Sequence, residues 1–192
     1  ALPICVGTAS VSGTETYDFV GIGVRSIEPQ LTGNAPFAGN PVGTLEVGVG
    51  ATLNLNYLPG TIGAPTFRPL DNSVVVGNSL GATGTLNVNG GVVSAPMLFA
   101  GQADALRPST GTVNITGGGQ FTATLDSSAA GPLPGFPAVS IGRGPGSVGT
   151  INVSGVGSRL DVPVGMMSLA REGNGTLNVQ AGGVVAVGNT VF

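Results

Sequence analysis

A short phrase in which aliphatic residues alternate with small polar residues recurs along the chain. Its fullest copy is Gly-Thr-Ile-Asn-Val-Ser-Gly at 149–155, and further copies begin at Gly43, Gly84, Gly111 and Gly175. Alternation with a period of two residues is typical of a half-buried β-strand, and the flanking glycines mark turns. Recurrence of one such phrase along the chain indicates a repeat architecture.

Two further short segments accompany the Gly-Thr phrase in most repeats. A mostly apolar segment precedes it, as in Val-Val-Val-Gly at 74–77, and a third alternating segment follows it, as at 51–55 and 158–162. Further copies of the apolar segment are predicted at 20–23, 97–100, 139–142, 167–170 and 185–188. Three short strands and three turns per repeat are what one triangular coil of a β-solenoid requires.

The alternation also predicts which side chains point into the coil. The predicted inward positions are Leu45, Leu86, Val113, Ile151 and Leu177, then Val47, Val88, Ile115, Val153 and Val179, and then Ile22, Val76, Phe99, Ile141, Leu169 and Val187. Burial of one such side chain contributes roughly 1.5–3 kcal/mol. Because one coil holds only a few of them, we expect the coils to fold only as a stack.

Four asparagines lie between two inward positions and are expected to face outward. They are Asn87, Asn114, Asn152 and Asn178. Stacked in register, their amides would form a hydrogen-bonded ladder along the rod. The alternative interpretation is that Asn is a polar residue tolerated on a solvated strand face. Glu46 occupies the matching position in the copy that begins at Gly43, so a ladder would not be uniform.

The intervals between copies are irregular, and the longer ones contain proline-rich stretches without alternation. These stretches lie at 25–41, 57–72 and 126–137, and a solenoid tolerates such insertions at its corners. The expected fold is therefore all-β: a parallel β-helix (β-solenoid) of about five to six triangular coils with corner loop insertions. Residues 20–192 form its repeat domain, whereas residues 1–19 match no repeat unit and are expected to serve as a cap or as an inter-subunit strand.

Composition excludes several kinds of chemistry. The chain of 192 residues has 41% hydrophobic residues, six cationic residues that are all Arg, and no His. Without His there is no Ser-His-Asp triad and no imidazole metal ligand, and without Lys there is no P-loop. A net charge of −3 without a basic cluster lacks the electrostatic signature of a nucleic-acid-binding protein. No apolar run is long enough to span a bilayer.

The charged residues do not form an evident catalytic group. Arg159 and Asp161 flank Leu160, and Arg171 precedes Glu172. Both pairs are interpreted as solvated surface pairs. The nine acidic residues are scattered singly, whereas glycoside hydrolysis uses paired carboxylates. We therefore predict a protein that is not an enzyme and that uses no cofactor and no metal ion, and a carbohydrate-active β-helix enzyme is only the third hypothesis.

The run at 139–162, which reads Val-Ser-Ile-Gly and then Gly-Thr-Ile-Asn-Val-Ser-Gly-Val-Gly-Ser-Arg-Leu-Asp-Val, resembles a known repeat. This repeat is shared by autotransporter passenger domains and PEP-CTERM-associated exported proteins of Gram-negative bacteria. The resemblance covers about 20–192 and implies a right-handed parallel β-helix, found in adhesins and surface layers. Because the chain starts at Ala1 rather than Met, we expect an exported protein whose signal peptide has been removed, located outside the cell or on its surface.

The leading functional hypothesis is a non-enzymatic extracellular structural protein that self-associates head to tail into a filament, sheath or surface fibre. The segment at 185–188 repeats the coil-opening phrase of 74–77, so the chain is expected to end part-way into a new coil, which residues 1–19 of the next copy would complete. The predicted inter-subunit residues are Ile4, Cys5, Val6, Val185, Val187, Val191 and Phe192. The alternative is an adhesin-like surface rod that binds glycans or matrix surfaces.

Cys5 is the only cysteine in the chain, and two interpretations of it are open. It is either a small buried hydrophobic residue beside Ile4 and Val6 or one half of an intermolecular disulfide. An internal disulfide is excluded because a single thiol has no partner. The fold must therefore be held together without covalent cross-links inside the chain.

Overall fold

The computed structural model describes residues 2–4, 7–24, 40–55, 73–78, 81–103, 108–128 and 135–188, and the regular structure in these ranges consists of β-strands. In chain order the strands are β1 (Leu2–Ile4), β2 (Gly7–Val11), β3 (Thr14–Tyr17), β4 (Val20–Val24), β5 (Val42–Val47), β6 (Thr52–Leu55), β7 (Ser73–Asn78), β8 (Thr83–Asn89), β9 (Val92–Ala95), β10 (Met97–Gln102), β11 (Thr110–Thr116), β12 (Gln120–Ala123), β13 (Val139–Arg143), β14 (Val148–Ser154), β15 (Arg159–Val162), β16 (Met167–Leu169), β17 (Asn174–Gln180) and β18 (Val184–Val187).

Strands three apart along the chain pair in parallel and form three sheets of six strands each. Sheet A contains β1, β4, β7, β10, β13 and β16 in this order, sheet B contains β2, β5, β8, β11, β14 and β17, and sheet C contains β3, β6, β9, β12, β15 and β18. One strand of each sheet makes one coil, so coil 1 is β1–β3 and coil 6 is β16–β18. The prediction of a parallel β-solenoid of five to six coils is confirmed. Parallel strands lie about 4.8 Å apart, which makes the stack about 24 Å long.

The Gly-Thr phrases lie in register in sheet B, and their aliphatic side chains form two columns inside the stack. The members with no exposed surface are Leu45, Leu86, Val113 and Ile151 in one column and Val47, Val88, Ile115 and Val153 in the other. In coil 6 the same columns end with Leu177, which is partly buried, and Val179, which is 47% exposed. The inward direction is as predicted, but the last coil has a neighbour on one side only.

Sheet A is buried on both of its faces. Successive side chains of β7, Val74, Val75 and Val76, all have no exposed surface, although they point alternately to opposite faces. A parallel strand covered on both sides reads as a continuous apolar run rather than as an alternation. This explains the continuous apolar run of β7, whereas β13 and β16 carry the buried serines Ser140 and Ser168 on the outer face.

The predicted register of β10 against β7 in sheet A is wrong by one residue. The sequence placed Met97 opposite Val74, whereas the structure pairs Leu98 with Val74 and Phe99 with Val75. Phe99 therefore lies on the outer face of sheet A, and Ala100 takes the inward position that had been assigned to Phe99. Hydrophobicity could not distinguish the two faces, because side chains on both are buried.

The N-terminal residues belong to the solenoid, contrary to the expectation that 1–19 stand outside the repeat. β1, β2 and β3 pair with β4, β5 and β6 respectively and form coil 1. Gly7 and Thr8 are the register partners of Gly43 and Thr44, so residues 7–11 are a sixth Gly-Thr phrase. Ala9 and Ser10 replace the usual aliphatic residue and Asn in this copy, so it lacks the alternation that identifies the phrase in the sequence.

The C-terminal segment does not open a new coil. β18 is the third strand of coil 6, where Val185 pairs with Leu160 and Val187 with Val162 of β15. The expectation that 185–188 repeats the sheet A phrase of 74–77 is therefore wrong, and Val187 packs in sheet C. The two phrases look alike because both are short runs of Val with Gly at the end.

The proline-rich insertions fall between consecutive strands rather than inside them. Residues 25–39 lie between β4 and β5, residues 56–72 between β6 and β7, and residues 129–134 between β12 and β13, and all three lie outside the described residues. Each therefore connects to sheet A on one side. The turns between sheets B and C are short in every coil.

Adjacent substitutions to the same residue test the register. Ile151→Asp places a charge in the fully buried column and should lower the free energy of unfolding by several kcal/mol, because a buried unpaired carboxylate is strongly unfavourable. Thr150→Asp, one residue earlier on the outward side, should lower it by less than about 1 kcal/mol. Urea unfolding followed by circular dichroism measures both values, and equal destabilisation would contradict the assigned faces.

Candidate binding surfaces

The outward asparagines of sheet B form a hydrogen-bonded ladder. The amide nitrogen Nδ2 of Asn87 donates to Glu46 Oε1 at 2.6 Å. Asn114 donates in the same way to Asn87, Asn152 to Asn114, and Asn178 to Asn152, each at 2.8 Å. All four amides therefore point their donors toward coil 1, and the bonds run through five consecutive coils.

Glu46 is the end of this ladder rather than an interruption of it. An ionised carboxylate accepts hydrogen bonds and donates none, so Glu46 can receive the amide of Asn87 without passing a donor to coil 1. Its register partner there is Ser10. A bond from an amide to a charged acceptor is also stronger than a neutral one. The departure from Asn in this copy thus has a physical reason that the sequence alone did not reveal.

A row of threonines runs beside the asparagine ladder on the same face. Thr8, Thr44, Thr85, Thr112, Thr150 and Thr176 are register partners in consecutive coils. None of the six hydroxyls has a hydrogen-bond partner within the described part of the chain. Thr8 and Thr176, in the terminal coils, are exposed, and the four between them are half-buried by their neighbours along the row.

Coil 1 ends the stack with a polar pair at inward positions. Glu15 and Tyr17 are the register partners of Leu53 and Leu55 in sheet C. The Tyr17 hydroxyl donates to one carboxylate oxygen of Glu15, and the backbone N–H of Ser12 donates to the other at 3.2 Å. These bonds, above all the one from Tyr17, lower the pKa of Glu15. Polar groups at the end of a solenoid suit its exposure to water.

Coil 6 ends the stack with aliphatic side chains instead. Leu169 and Val179 are 37% and 47% exposed, and Leu177, Val185 and Val187 are only partly buried against the core. The two ends of the solenoid are therefore chemically different. One presents a carboxylate and a phenol, and the other presents Leu and Val.

A column of glycines at the corner between sheets A and B shows how one coil approaches the next. Gly77, Gly101 and Gly142 have φ of 69°, 68° and 68°. A Cβ on any of them would lie 2.0–2.2 Å from the carbonyl oxygen of the residue that begins the sheet B strand of the following coil. A side chain with a Cβ therefore does not fit at Gly77, Gly101 or Gly142, where another coil follows.

Ala170 occupies the position of this column in coil 6. It follows Leu169, the register partner of Ile141, as Gly142 follows Ile141, and its φ of 62° is in the same left-handed region. An alanine methyl is compatible with this position because none of the six described coils lies beyond it. The methyl group occupies the space that the backbone of a seventh coil in the same register would need.

Arg143 lies against two aromatic rings at the edge of sheet A. Its guanidinium is 5.7 Å from the centroid of the Phe99 ring and 4.8 Å from that of Phe136, and the two rings pack edge to face at 6.2 Å. Burial is the main reason that the pKa of Arg143 is lowered, with Arg171 adding to the effect and Glu172 opposing it. Arg143 Nη1 and Gln102 Oε1 are buried without hydrogen-bond partners. These two residues are register partners in neighbouring strands.

The predicted inter-subunit residues that the structure describes lie at opposite ends of the stack. Ile4 is buried in coil 1 and pairs with Ile22, whereas Val185 and Val187 lie in coil 6 at the opposite end. Cys5, Val6, Val191 and Phe192 lie outside the described residues. β1–β3 pair with the strands of coil 2, and β18 pairs with β15 of coil 5, so the described coils lack no strand for a second copy to supply. Association of coil 1 of one copy with coil 6 of the next stays a prediction.

The predicted surface pair on sheet C is present, since Arg159 Nε donates to Asp161 Oδ1 at 2.7 Å on an exposed strand. Within the described ranges no group of three or more His, Cys, Asp or Glu is placed to hold a metal ion. Across the same residues no helix is long and apolar enough to cross a membrane.

Comparisons with protein-family models, curated proteins and solved structures give no match for this chain. The resemblance of 139–162 to the repeats of exported proteins therefore stays a prediction that rests on its residues.

Truncation of two asparagines tests whether the ladder acts as a chain of bonds. Asn114→Ala removes two hydrogen bonds and leaves a donor and an acceptor unpaired, whereas Asn178→Ala removes one bond at the end. With about 0.5–1.5 kcal/mol per bond, Asn114→Ala should destabilise the protein about twice as much as Asn178→Ala. Urea unfolding measures the difference. Equal, negligible losses would show that the ladder does not contribute to stability.

Proposed function

We propose that the protein is a non-enzymatic structural rod that acts outside the cell and that functions as a single unit with dissimilar ends. The observation that carries the proposal is the stack itself: three six-stranded parallel sheets enclose one continuous apolar core. Such a stack holds its surface side chains in fixed, repeating positions. The extracellular location is supported by the resemblance of 139–162 to repeats of exported proteins.

Head-to-tail filament formation is the second candidate function, favoured by the partly exposed aliphatic side chains of coil 6. Two features oppose it in the register that the coils themselves use. Glu15 and Val185 are the first and last members of one inward column of sheet C. Coil 1 of an incoming copy would therefore place its Glu15 on Val185 and bury a carboxylate against aliphatic groups. The methyl group of Ala170 would also meet the backbone of the incoming sheet B strand, as the glycine column shows.

Binding of surface glycans is the third candidate. The unpaired polar atoms of the Arg143 cluster are buried and so are not placed to bind a glycan at the surface. A glycan would have to lie along an open sheet face, and sheet B is the face with the most regular polar groups.

Replacement of both Glu15 and Ala170 tests whether these two residues prevent head-to-tail stacking of the rods. We expect the double variant Glu15→Leu with Ala170→Gly to assemble into longer rods, because Leu restores the aliphatic column and Gly admits the next coil. The wild-type chain and each single variant should sediment as single units across the same concentrations. Analytical ultracentrifugation and negative-stain microscopy give the answer. Wild-type filaments would instead support the second candidate, and a double variant that stays single would refute the roles given to Glu15 and Ala170.

The proposed location is tested separately on cells that produce the protein natively. Brief protease treatment of intact cells should release peptides of this chain, detected by mass spectrometry, while a cytoplasmic marker protein stays intact. Release only after cell lysis would contradict an extracellular role.

A further inference from the structure

The outer face of sheet B carries a two-dimensional array of polar groups. The threonine row, one residue per coil in all six coils, runs parallel to the asparagine ladder. Each Asn lies two residues after a Thr on the same strand. Strand geometry therefore gives the array repeats of about 4.8 Å along the stack and about 6.7 Å across it.

The array is held in place before any partner arrives. Each Asn amide within the ladder is fixed by its neighbours in the coils on either side, and a β-branched Thr side chain has few χ1 rotamers in a strand. One N–H of each ladder amide is not used by the ladder, and the Thr hydroxyls have no partner in the described part of the protein. A preorganised surface loses little conformational entropy when it binds.

The solenoid fold does not itself require threonine at these positions. Sheet C provides a comparison within the same molecule, because one of its outward rows consists of Thr14, Thr52, Val92, Gln120, Arg159 and Val184. That row has the same strand spacing and the same exposure to one side, yet it contains four residue types. The uniformity of the Thr row is therefore a property of this face and not of the coil.

The chemistry of the face limits what it can recognise. The Thr and Asn rows contain one charged residue, Glu46, and no aromatic ring, so they offer neither a charge pattern nor a stacking platform. They offer closely spaced hydroxyls, amides and methyl groups. A surface that repeats one small unit in two directions is complementary to a partner that does the same, with donors and acceptors at intervals of a few ångströms.

We propose that this face of sheet B binds ice. Crystalline water presents hydrogen-bond donors and acceptors in a planar lattice whose repeats are close to those of the array, and it needs no charged or aromatic group to recognise it. The short turns between sheets B and C leave one long edge of the face open to a flat crystal. The inference goes beyond the structural role proposed above and does not depend on the ends of the rod.

The experiment uses two Thr→Tyr variants in the same coil. Thr112→Tyr puts a ring on the proposed ice-binding face, and Thr122→Tyr puts the same ring on the outer face of sheet C, where Thr122 is equally half-buried. Each protein is mixed with serum albumin, ice is grown slowly in the solution, and the amount of each protein in the ice is measured. Thermal hysteresis is measured on the same samples, and circular dichroism checks the fold.

We expect the wild type and Thr122→Tyr to be enriched in ice relative to albumin and to lower the freezing point below the melting point. Thr112→Tyr should lose most of both effects, because its ring holds the lattice away from the face. If Thr112→Tyr does not fold, Thr150→Lys on the same row replaces it. Folded wild-type protein that is excluded from ice like albumin would overturn the proposal, and so would equal losses in the sheet B and sheet C variants.

A second copy of the chain is the competing occupant of this face. Sedimentation of the same three proteins decides between them. A wild-type dimer that Thr112→Tyr dissociates, without ice enrichment of the wild type, would show that the face pairs with itself and would refute ice binding.

Discussion

Inward side chains of the middle coils are covered by the coils above and below them, and the rest of the structure depends on this constraint. In the middle coils Val113 and Ile151 have no exposed surface, whereas Val179, on the same inward side of the last coil, is 47% exposed. A coil thus obtains its core only from its neighbours. Each terminal coil has a neighbour on one side only. Coil 1 carries the polar Glu15–Tyr17 pair at its uncovered inward positions. Coil 6 keeps aliphatic side chains there, and Ala170 takes the place of the corner glycine.

The three sheets of the stack have different surroundings although their strands have the same geometry. Sheet A is buried on both faces, sheet B carries a uniform row of Thr beside four stacked Asn, and sheet C carries mixed outward residues. The insertions all adjoin sheet A, which leaves the corner between sheets B and C compact.

Alternation was sufficient to predict the fold, the inward columns of sheet B and the outward direction of the asparagines. Alternation gave a wrong result for strands that are buried on both faces and for the coil at the end of the stack. Phe99 was assigned to the wrong face because both faces of sheet A are apolar environments. Coil 1 was missed because an end coil exchanges aliphatic residues for polar ones, as Glu15 does at the position of Leu53.

The candidate surfaces were only partly accessible from sequence. The ladder could be anticipated from equally spaced asparagines, but the role of Glu46 as its terminal acceptor required the hydrogen-bond directions. The left-handed φ of Ala170 and its consequence for a further coil cannot be read from a pattern of hydrophobic and polar residues, because they depend on the distance between backbones at one corner.

Residue-resolved amide hydrogen exchange tests the central claim, a six-coil stack that begins with residues 2–17, most directly. Hydrogen-bonded amides in the middle of a stack open only with global unfolding, whereas those of terminal coils open locally. The account predicts strong protection in β8, β11 and β14, with weaker but measurable protection in β2 and β3, since both are paired to coil 2. Exchange of residues 7–17 at the rate of an unfolded chain, beside a protected remainder, would contradict it.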